Sequence, residues 1–478
     1  MKTLMWFRSD LRLTDNPALH HGWQAAEGEL FGCYVLCEQF ITQHPINSRQ
    51  LWFIYQHLCL LQQAFEQAGL AFHVLRVQRA ADIPAAIKKL CAAQNVTKLV
   101  FNAEYPVNEL LRDKAVIAAL DAIGVVSKRY HDRALVPPGM LTTQQGTPYK
   151  VYSPFARAWR SQVMNFEFNL YDSPIALSNK PNNSLAPQSP GQAMLQGAFA
   201  QCGIEAAALS MSELWPVGEQ AAAKTLAEFC RNSMSNYRHA RDYPALIGTS
   251  GLSPYLAIGV LSPKQCVIAG RDASQGLWSE DEGAACWIGE LIWRDFYMHI
   301  IAAFPALSRH RPMQVYTEGF AWSRNQDDFK RWCEGQTGIP IVDAAMRQLN
   351  QTGWMHNRLR MVSAMFLTKN LRIDWRMGER YFMEQLIDAD FCSNNGGWQW
   401  SASTGTDAAP YFRIMNPQSQ SERFDADGDF IRRFVPELKS VIGKKIHNPA
   451  GSVENYPAPM VDLKESRATT IAMFKALK

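Results

Sequence analysis

A predicted helix around residue 290 carries aromatic and charged side chains where a core helix would carry aliphatic ones. Four residues at positions i, i+3, i+4 and i+7 share one face of it: Glu290, Trp293, Arg294 and Tyr297. An indole stacks on flat rings, a carboxylate hydrogen-bonds a polar edge, and a guanidinium holds a phosphate. The face therefore predicts a site for a flat, partly charged ligand. The competing interpretation is a surface ion pair beside a buried tryptophan.

A second predicted helix repeats this combination of side chains. Trp354, Asn357 and Met361 stand at i, i+3 and i+7, and Arg358 and Arg360 flank them. Methionine adapts to irregular ligands, although at this spacing it also serves as an ordinary core residue. Spacing alone leaves both interpretations open.

Two carboxylates precede a glycine-containing stretch farther along the chain. Asp388 and Asp390 flank Ala389, and residues 394–400 (NNGGWQW) follow them. We interpret 394–400 as a turn, and the whole segment as a polar loop that reaches into a cavity. A metal site is not predicted, because no histidine or third carboxylate stands nearby at ligand spacing.

A loop of small residues ahead of a predicted helix forms a further candidate. Its members are Thr249, Ser250, Gly251, Leu252 and Ser253. Backbone N–H groups and hydroxyls in such a loop can donate to a diphosphate. Many surface loops share this composition, so the loop alone is weak evidence.

Tryptophan is concentrated in the same part of the chain. Nine of the fourteen tryptophans lie between residues 278 and 400. Because cores are built more readily from Leu, Ile and Val, indoles among Arg and Asn indicate stacking surfaces, electron-transfer relays, or both. Residues 351–380 also hold six basic and two acidic side chains. Such a stripe fits a surface that follows nucleic-acid phosphates, and a solvated helix face is the alternative.

The elements that must position these residues fall into an α/β half and an all-α half. Residues 1–133 alternate strand-like runs at 4–7, 30–36, 72–77 and 98–101 with helical runs such as 48–68 and 85–93. This alternation predicts a Rossmann-like parallel sheet. Neither a G-x-G-x-x-G nor a G-x-x-x-x-G-K-[ST] motif is present, so a ligand of this domain is held in another way.

The pattern weakens over residues 134–212, which we interpret as a long inter-domain connection with an exposed loop at 172–191. Helical periodicity then dominates 213–478, which predicts an all-α domain. The predicted helices cover 219–232, 284–303, 338–351, 355–371, 378–387 and 465–477.

Bulk properties narrow the class of protein. A chain of 478 residues exceeds what one core usually supports, which predicts two or three domains. No apolar run is long enough to span a bilayer, and Arg8 interrupts the N-terminus before a secretion signal is complete. The ten cysteines include no C-x-x-C pair, which is typical of reduced thiols in a cytoplasmic protein. The net charge of +4 does not by itself indicate a nucleic-acid partner.

Long motifs over nearly the whole chain resemble one known family. They begin with residues 6–16 (WFRSDLRLTDN), are strongest through 287–297, 338–361 and 373–417, and persist to 456–459 (YPAP). On these motifs the chain resembles the photolyase/cryptochrome family, and specifically the class I cyclobutane pyrimidine dimer photolyases of bacteria.

The resemblance implies an α/β antenna-binding domain, followed by a helical domain that holds a U-shaped FAD. By match of position, the residues that would bind FAD are Tyr237, Thr249, Ser250, Gly251, Leu252, Ser253, Trp287, Asn357, Arg360, Asp388, Ala389, Asp390 and Asn394. Arg360 and Asp388 would form an ion pair near the isoalloxazine ring. Asn394 would face flavin N5, where a neutral amide accepts from N5–H without adding charge. Plant cryptochromes carry Asp there and animal ones Cys, so Asn favours a repair enzyme.

The resemblance also implies a substrate, which is ultraviolet-damaged DNA with the damaged bases flipped out of the helix. Trp293 and Trp400 would sandwich the dimer, and Glu290 would hydrogen-bond its carbonyl edge and stabilise its radical anion. Asn357 and Met361 would line the pocket, and Tyr297 would be a further substrate contact. The phosphates that flank the dimer would be held by Arg241, Arg294 and Arg358. Light would drive one electron from reduced FAD to the dimer, with electron return after the cyclobutane bonds split. Related (6-4) photolyases usually place a histidine in the equivalent of 357–361, and its absence here favours cyclobutane dimers.

Three tryptophans match the relay that re-reduces the flavin under light in this family: Trp322, Trp375 and Trp398. Asn108 and Glu109 match residues that bind a 5,10-methenyltetrahydrofolate antenna in folate-type members. Ser308 stands where close relatives have Cys in the antenna region, so a deazaflavin antenna or an empty site stays open.

A photosensor that acts through partners and a dark flavoprotein electron carrier are the competing functions. Sensors of this fold usually carry a long regulatory tail, which this sequence does not show, and an electron carrier would not need a face of Arg and Trp. We expect a monomer with no obligate protein partner and no membrane contact.

Overall fold

The N-terminal half of the molecule is built around a parallel β-sheet. The computed structural model describes residues 1–26, 29–43, 47–164, 166, 168–176, 190–200, 202–204, 211–276, 280–449 and 453–477. Within these residues, five strands form the sheet: β1 (Thr3–Phe7), β2 (Leu30–Cys37), β3 (Phe72–Val77), β4 (Lys98–Asn102) and β5 (Val126–Tyr130). The strands are parallel and lie in the order β3-β2-β1-β4-β5, which confirms the predicted Rossmann-like sheet.

Strand β5 is the one described strand that the sequence analysis missed. It lies at the edge of the sheet, where it pairs only with β4. Its sequence, VSKRY, contains no apolar run, and none of its residues is fully buried. An edge strand does not need the hydrophobic pattern that identified the four others.

Helices pack on the sheet and continue into the connection. The described helices of this part are α1 (Pro17–Ala26), α2 (Glu38–Gln43), α3 (Ser48–Gln67), α4 (Ile83–Gln94), α5 (Val107–Asp121), α6 (Tyr152–Met164) and α7 (Pro190–Phe199). Helices α6 and α7 lie within the connection and were not predicted. Most of the loop predicted at 172–191 lies outside the described residues.

A buried carboxylate fastens the connection to the C-terminal half. Asp295 accepts from Trp159 Nε1 of α6 at 2.9 Å, and from the backbone N–H groups of Leu135 at 3.0 Å and Val136 at 3.1 Å. One carboxylate thus accepts hydrogen bonds from donors at both ends of the segment 135–159. The connection is therefore packed against the helices that follow it.

The rest of the chain is helical, as predicted. The described helices here are α8 (Glu219–Asn232), α9 (Tyr237–Ala240), α10 (Ser253–Ala257), α11 (Pro263–Ala273), α12 (Glu282–Ala303), α13 (Gln326–Glu334), α14 (Pro340–Thr352), α15 (Asn357–Met365), α16 (Trp375–Gln385), α17 (Phe391–Ala402), α18 (Pro417–Phe424), α19 (Asp429–Phe434) and α20 (Leu463–Lys475). Short 3-10 turns join several of them. No helix in the described part of the chain combines the length and apolar character needed to cross a membrane.

The interpretation of 394–400 as a turn is wrong, because these residues lie inside α17. Asp390 caps this helix by accepting from the N–H of Ser393 at 2.9 Å. The glycine at 396 marks close packing: a Cβ on Gly396 would lie 2.1 Å from the ring of Tyr297 in α12. Glycine is therefore required here because two helices approach each other closely. The local sequence does not show this approach, so the glycine suggests a turn.

The helix predicted over 355–371 is divided, since α15 is followed by a π-helical turn, Phe366–Asn370. Lys369 in this turn is fully buried. Its Nζ donates to Ser403 Oγ at 2.7 Å and lies 4.1 Å from the ring centroid of Phe474. Ser403 is the C-cap of α17, so Lys369 meets the negative end of that helix dipole. Burial lowers the pKa of Lys369 to about 7.

We expect Lys369 to make stability depend on pH. Unfolding returns its pKa from about 7 to 10.5, so between these values the unfolded chain binds more protons than the folded one. Its contribution to the free energy of unfolding therefore rises with pH across this window. Chemical denaturation at about pH 7 and about pH 10 gives the free energy of unfolding of wild type and of a Lys369→Met variant. The difference between the two proteins at each pH is the contribution of Lys369. A difference that is flat or falls with pH contradicts the expectation.

Candidate active site

A cavity of about 490 Å³ lies between the helices of the C-terminal half. Helices α12, α15 and α17 form much of its wall, and the loop ahead of α10 closes one side. The predicted ligand contacts that line it are Tyr237, Arg241, Thr249, Ser250, Gly251, Leu252, Ser253, Trp287, Glu290, Trp293, Arg294, Tyr297, Asn357, Arg360, Met361, Asp388, Asp390, Asn394, Trp398 and Trp400. Within the described residues, no group of three or more His, Cys, Asp or Glu side chains is placed to hold a metal ion.

The face predicted around residue 290 points into this cavity. Its tryptophan is supported from behind, because Tyr152 of α6 stacks on Trp293 with ring centroids 3.6 Å apart and planes within 2°. The Tyr152 hydroxyl donates to the carbonyl of Gly289 at 3.0 Å, which fixes the ring in place. Trp293 lines the cavity whereas Tyr152 does not, so the other indole face is left for a ligand.

The second predicted face also lines the cavity, through Trp354, Asn357 and Met361. The flanking Arg358 takes a different position. It is outside the cavity lining and pairs with Asp242, with Nη2 and Oδ2 2.7 Å apart.

The predicted ion pair between Arg360 and Asp388 is present. Nη2 of Arg360 lies 2.8 Å from Oδ2 of Asp388, and Nε donates to the carbonyl of Met355 at 2.8 Å. The Asp388 side chain is only 3% exposed. Its other oxygen, Oδ1, is buried and has no hydrogen-bond partner within the described part of the chain. A buried acceptor without a partner is costly, so this oxygen is suited to a ligand that donates.

Asn394 presents a hydrogen-bond acceptor to the cavity. Its Nδ2 donates to the backbone carbonyl of Glu379 at 2.9 Å, which leaves Oδ1 for a ligand. The Glu379 carboxylate accepts from Asn395 Nδ2 at 2.7 Å and lies 3.0 Å from His310 Nδ1. That hydrogen bond from His310 raises the pKa of the imidazole. The carboxylate thereby ties α16 to α17 beside Asn394.

Glu290 is held by an ion pair with Arg241, which also lines the cavity. Burial raises the pKa of Glu290, and the Arg241 cation opposes this only in part. The carboxyl group therefore takes up a proton more readily than a solvated glutamate does, and its protonated form can donate to a carbonyl oxygen.

Arg294 lines the cavity and is anchored to the protein backbone. Its guanidinium turns to the interior and donates to the backbone carbonyls of Leu256, at 3.2 Å, and Arg133. Burial, together with the neighbouring Arg133 cation, lowers the pKa of Arg294. Arg133 pairs with Asp390 at 2.8 Å, so two guanidinium groups lie around this carboxylate. This arrangement suits an anion inside the cavity, such as a diphosphate.

The three tryptophans of the predicted relay extend from the cavity towards the surface. Trp398 is buried and lines the cavity, Trp375 is fully buried, and Trp322 is half-buried. Trp398 packs against α16 at Gly378, where a Cβ would lie 2.1 Å from the indole. Trp375 is one turn earlier on α16. The backbone of Ser323, the neighbour of Trp322, pairs with that of Ile373, which lies just before α16.

A second cavity of about 270 Å³ lies where the sheet domain meets the helices. Arg8 follows β1 and Glu104 follows β4, and both line it. It therefore lies at the point where the strand order reverses, which is where α/β sheets bind ligands. Asn108, Glu109 and Ser308 line the same cavity, as expected for one antenna site.

One predicted FAD contact belongs to this second cavity instead. Ala389 lines it rather than the cavity of the helical half. Its carbonyl accepts from Gln50 Nε2 of α3 at 2.8 Å, which ties the residue to the N-terminal half. Ala257 and Asp390 line both cavities, so the two cavities are separated there by a single layer of residues.

Comparison with known proteins agrees with this geometry. Residues 3–176 match the family model described as DNA photolyase, and residues 287–476 match the FAD binding domain of DNA photolyase. The deoxyribodipyrimidine photo-lyase of Escherichia coli is 42% identical and aligns with 99% of this chain and 98% of its own length. The chain belongs to the DNA photolyase family.

Solved structures of photolyase relatives superpose on the whole molecule. A class III photolyase from Agrobacterium tumefaciens is 34% identical, with a TM-score of 0.85 over 100% of this chain and 97% of its own. A cryptochrome from Synechocystis is 27% identical, also with a TM-score of 0.85, over 99% of each chain. The chain is thus a DNA photolyase by family, an enzyme, and FAD is its cofactor.

The residues of the larger cavity fit the photolyase cofactor. Gly251 and Gly397 leave open space where a Cβ would otherwise project. The unpartnered Asp388 Oδ1 and the Oδ1 of Asn394 are acceptors for ring or ribose donors. Arg294 and the hydroxyls of the 249–253 loop supply the groups that a diphosphate needs.

Proposed function

We propose that this enzyme repairs cyclobutane pyrimidine dimers in DNA under light, by electron transfer between reduced FAD and a dimer that is flipped out of the helix. The observation that carries the proposal is the single cavity in which the two sets of residues meet. Asp388 and Asn394 form its cofactor side, and Glu290, Trp293 and Trp400 form its substrate side. A cofactor and a lesion bound there would lie in direct contact.

The cofactor side holds and orients FAD through the groups described above. Asp388 would accept a hydrogen bond at Oδ1 while Arg360 fixes its carboxylate, and Asn394 Oδ1 would accept one from the N5–H of the reduced ring. When bound in its reduced form, FAD supplies one electron to the dimer on light absorption and takes it back after bond cleavage. A neutral amide at Asn394 suits this cycle, because it adds no charge beside the ring.

The substrate side recognises an uncharged lesion made of two joined pyrimidines. A dimer is poorly stacked and paired, so its extrusion from the helix costs less than that of normal bases. The free face of Trp293 and the indole of Trp400 then pack on the two pyrimidines. Glu290, whose pKa burial raises, would donate in its protonated form to a pyrimidine carbonyl and stabilise the negative charge that develops there.

A repair assay tests the proposal directly. Reduced, FAD-loaded protein is mixed with oligonucleotides that carry either one cyclobutane dimer or one (6-4) photoproduct, and each sample is divided between blue light and darkness. The proposal predicts loss of the cyclobutane dimer in light only, with the (6-4) product unchanged. Bound FAD without light-dependent loss of dimers favours the photosensor instead, and repair of the (6-4) product overturns the dimer specificity.

We also propose that the second cavity holds a folate antenna. Burial raises the pKa of Glu109, with the nearby Glu104 adding to the effect, so Glu109 is predisposed to donate a hydrogen bond to a neutral ring. The alternatives are a deazaflavin and no antenna.

The absorption spectrum of the purified protein separates these possibilities. We expect a near-ultraviolet band from folate in addition to the FAD bands, and we expect Glu109→Ala to remove that band while the FAD content is retained. Asp121→Ala, at an exposed position of the same helix, is the matched control. A blue band in its place identifies a deazaflavin, and a spectrum of FAD alone contradicts the antenna proposal.

A further inference from the structure

An acidic residue, Asp242, joins two arginines beside the cavity. Asp242 Oδ2 lies 2.7 Å from Nη2 of Arg358, and its Oδ1 lies 3.7 Å from Nε of Arg241. Arg241 also pairs with Glu290, so the four side chains form one chain of alternating charge. The two arginines are separated by more than one hundred residues in sequence, and Asp242 brings them to the same site.

Aromatic contact restricts the second arginine further. The guanidinium of Arg358 lies 4.5 Å from the ring centroid of Phe424, and the ring of Tyr243 meets the same phenylalanine edge-on at 5.9 Å. The guanidinium of Arg423 lies 5.0 Å from the same Phe424 centroid. The Arg358 side chain is 19% exposed and Arg241 25%, so both reach the surface while their stems are packed. Arg358 is thus held in one orientation between a carboxylate and a ring.

The electrostatics of this arrangement oppose a simple role in DNA binding. A carboxylate beside a phosphate-binding surface repels the DNA backbone and neutralises part of the positive charge that attracts it. Asp242 is 30% exposed at its side chain, so it is close enough to the surface to act in this way. If charge alone mattered, removal of this carboxylate would tighten DNA binding.

We propose that Asp242 is a positioning residue for substrate binding, which orders Arg241 and Arg358 so that both guanidinium groups meet phosphates that flank the flipped dimer. The proposal rests on the proposed function. Two long side chains that are ordered before binding lose less conformational entropy when the DNA arrives. Asp242 also leaves Arg241 with a counter-charge when Glu290 turns to the pyrimidine, so this partly exposed cation keeps an acidic partner.

Asp242→Asn gives a test whose sign separates the two views. Asparagine keeps the shape of aspartate but not the charge that attracts both arginines. The positioning role predicts that the Kd for a dimer-containing duplex rises by about five- to tenfold. It also predicts the loss of roughly one phosphate contact, so the slope of log K for DNA binding against log salt concentration becomes shallower by about 0.9. Charge repulsion alone predicts a lower Kd, with the number of phosphate contacts unchanged. Fluorescence anisotropy over a salt series, with FAD absorbance as the check on folding, measures both quantities.

A matched control and a prior measurement keep the outcomes distinct. Glu422→Gln removes an exposed carboxylate from α18, where its described partner is Gln418, and we expect no loss of affinity. Wild-type protein is tested first for tighter binding of the dimer duplex than of an undamaged duplex. Failure there overturns the proposed function, and this proposal with it. Wild-type discrimination combined with an equal or lower Kd in Asp242→Asn overturns the positioning role alone.

Discussion

Light-driven reduction of bound FAD is expected to stop in a Trp398→Phe variant, while chemically reduced protein still repairs dimers in the light. Trp398 is the one member of the predicted relay that lines the FAD cavity, and only 2% of it is exposed. Phenylalanine is much harder to oxidise than tryptophan, and a barrier higher by only about 1.4 kcal/mol already slows a step tenfold. Repair from reduced FAD does not use this residue, so it continues.

The surroundings of Trp398 favour onward movement of the electron hole. The indole N–H groups of Trp398 and Trp375 have no hydrogen-bond acceptor within the described residues, so an oxidised indole has no protein base to take its proton. Trp322 is half-buried and has access to solvent, which can accept a proton at the end of the relay. The order of burial would thus give the predicted relay a direction.

Trp332→Phe is the matched control for this prediction. Trp332 is fully buried and its ring lies 6.1 Å from that of Trp398, but it does not line the cavity. Its replacement is expected to leave photoreduction close to the wild-type rate. Absorbance of oxidised FAD during blue illumination with an external reductant measures the rate. A wild-type rate in Trp398→Phe, or a loss in Trp332→Phe alone, contradicts the assignment of Trp398 as the first donor.

The loss of Asp388 is expected to remove FAD from the protein. In Asp388→Ala the guanidinium of Arg360 loses its partner, and a partly buried cation without a counter-charge typically costs about 3–5 kcal/mol. Arg360 is 26% exposed, which places the expected cost at the lower end of that range. The variant also lacks Oδ1, the buried oxygen that has no described protein partner. Stability and FAD affinity should therefore fall together.

Asp388→Asn is the comparison that separates shape from charge. The amide keeps an acceptor for Arg360 and nearly the same volume, so we expect reduced but measurable FAD content. The ratio of absorbance at the flavin band to that at the protein band gives the stoichiometry, and thermal unfolding gives the stability. Stoichiometric FAD and an unchanged Tm in Asp388→Ala would rule out this carboxylate as a main contact of the cofactor.

The parts of the site that sequence could predict are those set by local spacing. Helical periodicity placed Glu290 and Trp293 on one face because every residue of that face lies on α12. Four strands were recognised from their apolar runs, which are most complete in the central strands β1 and β2. The Arg360–Asp388 pair was implied by family resemblance, and its geometry agrees with that expectation.

The parts that sequence could not predict depend on contacts between distant segments. Tyr152 supports Trp293 from another helix, and no local pattern near either residue marks the pair. In the sequence, nothing distinguishes Asp242 from an ordinary loop carboxylate, because only the fold places Arg358 beside it. Gly396 was taken for a turn residue because the local sequence does not show the ring of Tyr297 in α12, whose close approach requires a glycine. Arg294 was expected to contact the substrate, and its position on α12 does not show that the carbonyl of Leu256 accepts one of its hydrogen bonds.

The central claim is that one cavity brings the cofactor and the lesion together. A crystal structure of the FAD-loaded protein with a dimer-containing duplex tests it most directly. We predict FAD against Asp388 and Asn394, and a flipped dimer between Trp293 and Trp400 in contact with both the flavin and Glu290. Density for the dimer outside this cavity, or a cavity filled by the protein's own side chains with FAD bound elsewhere, would contradict the account.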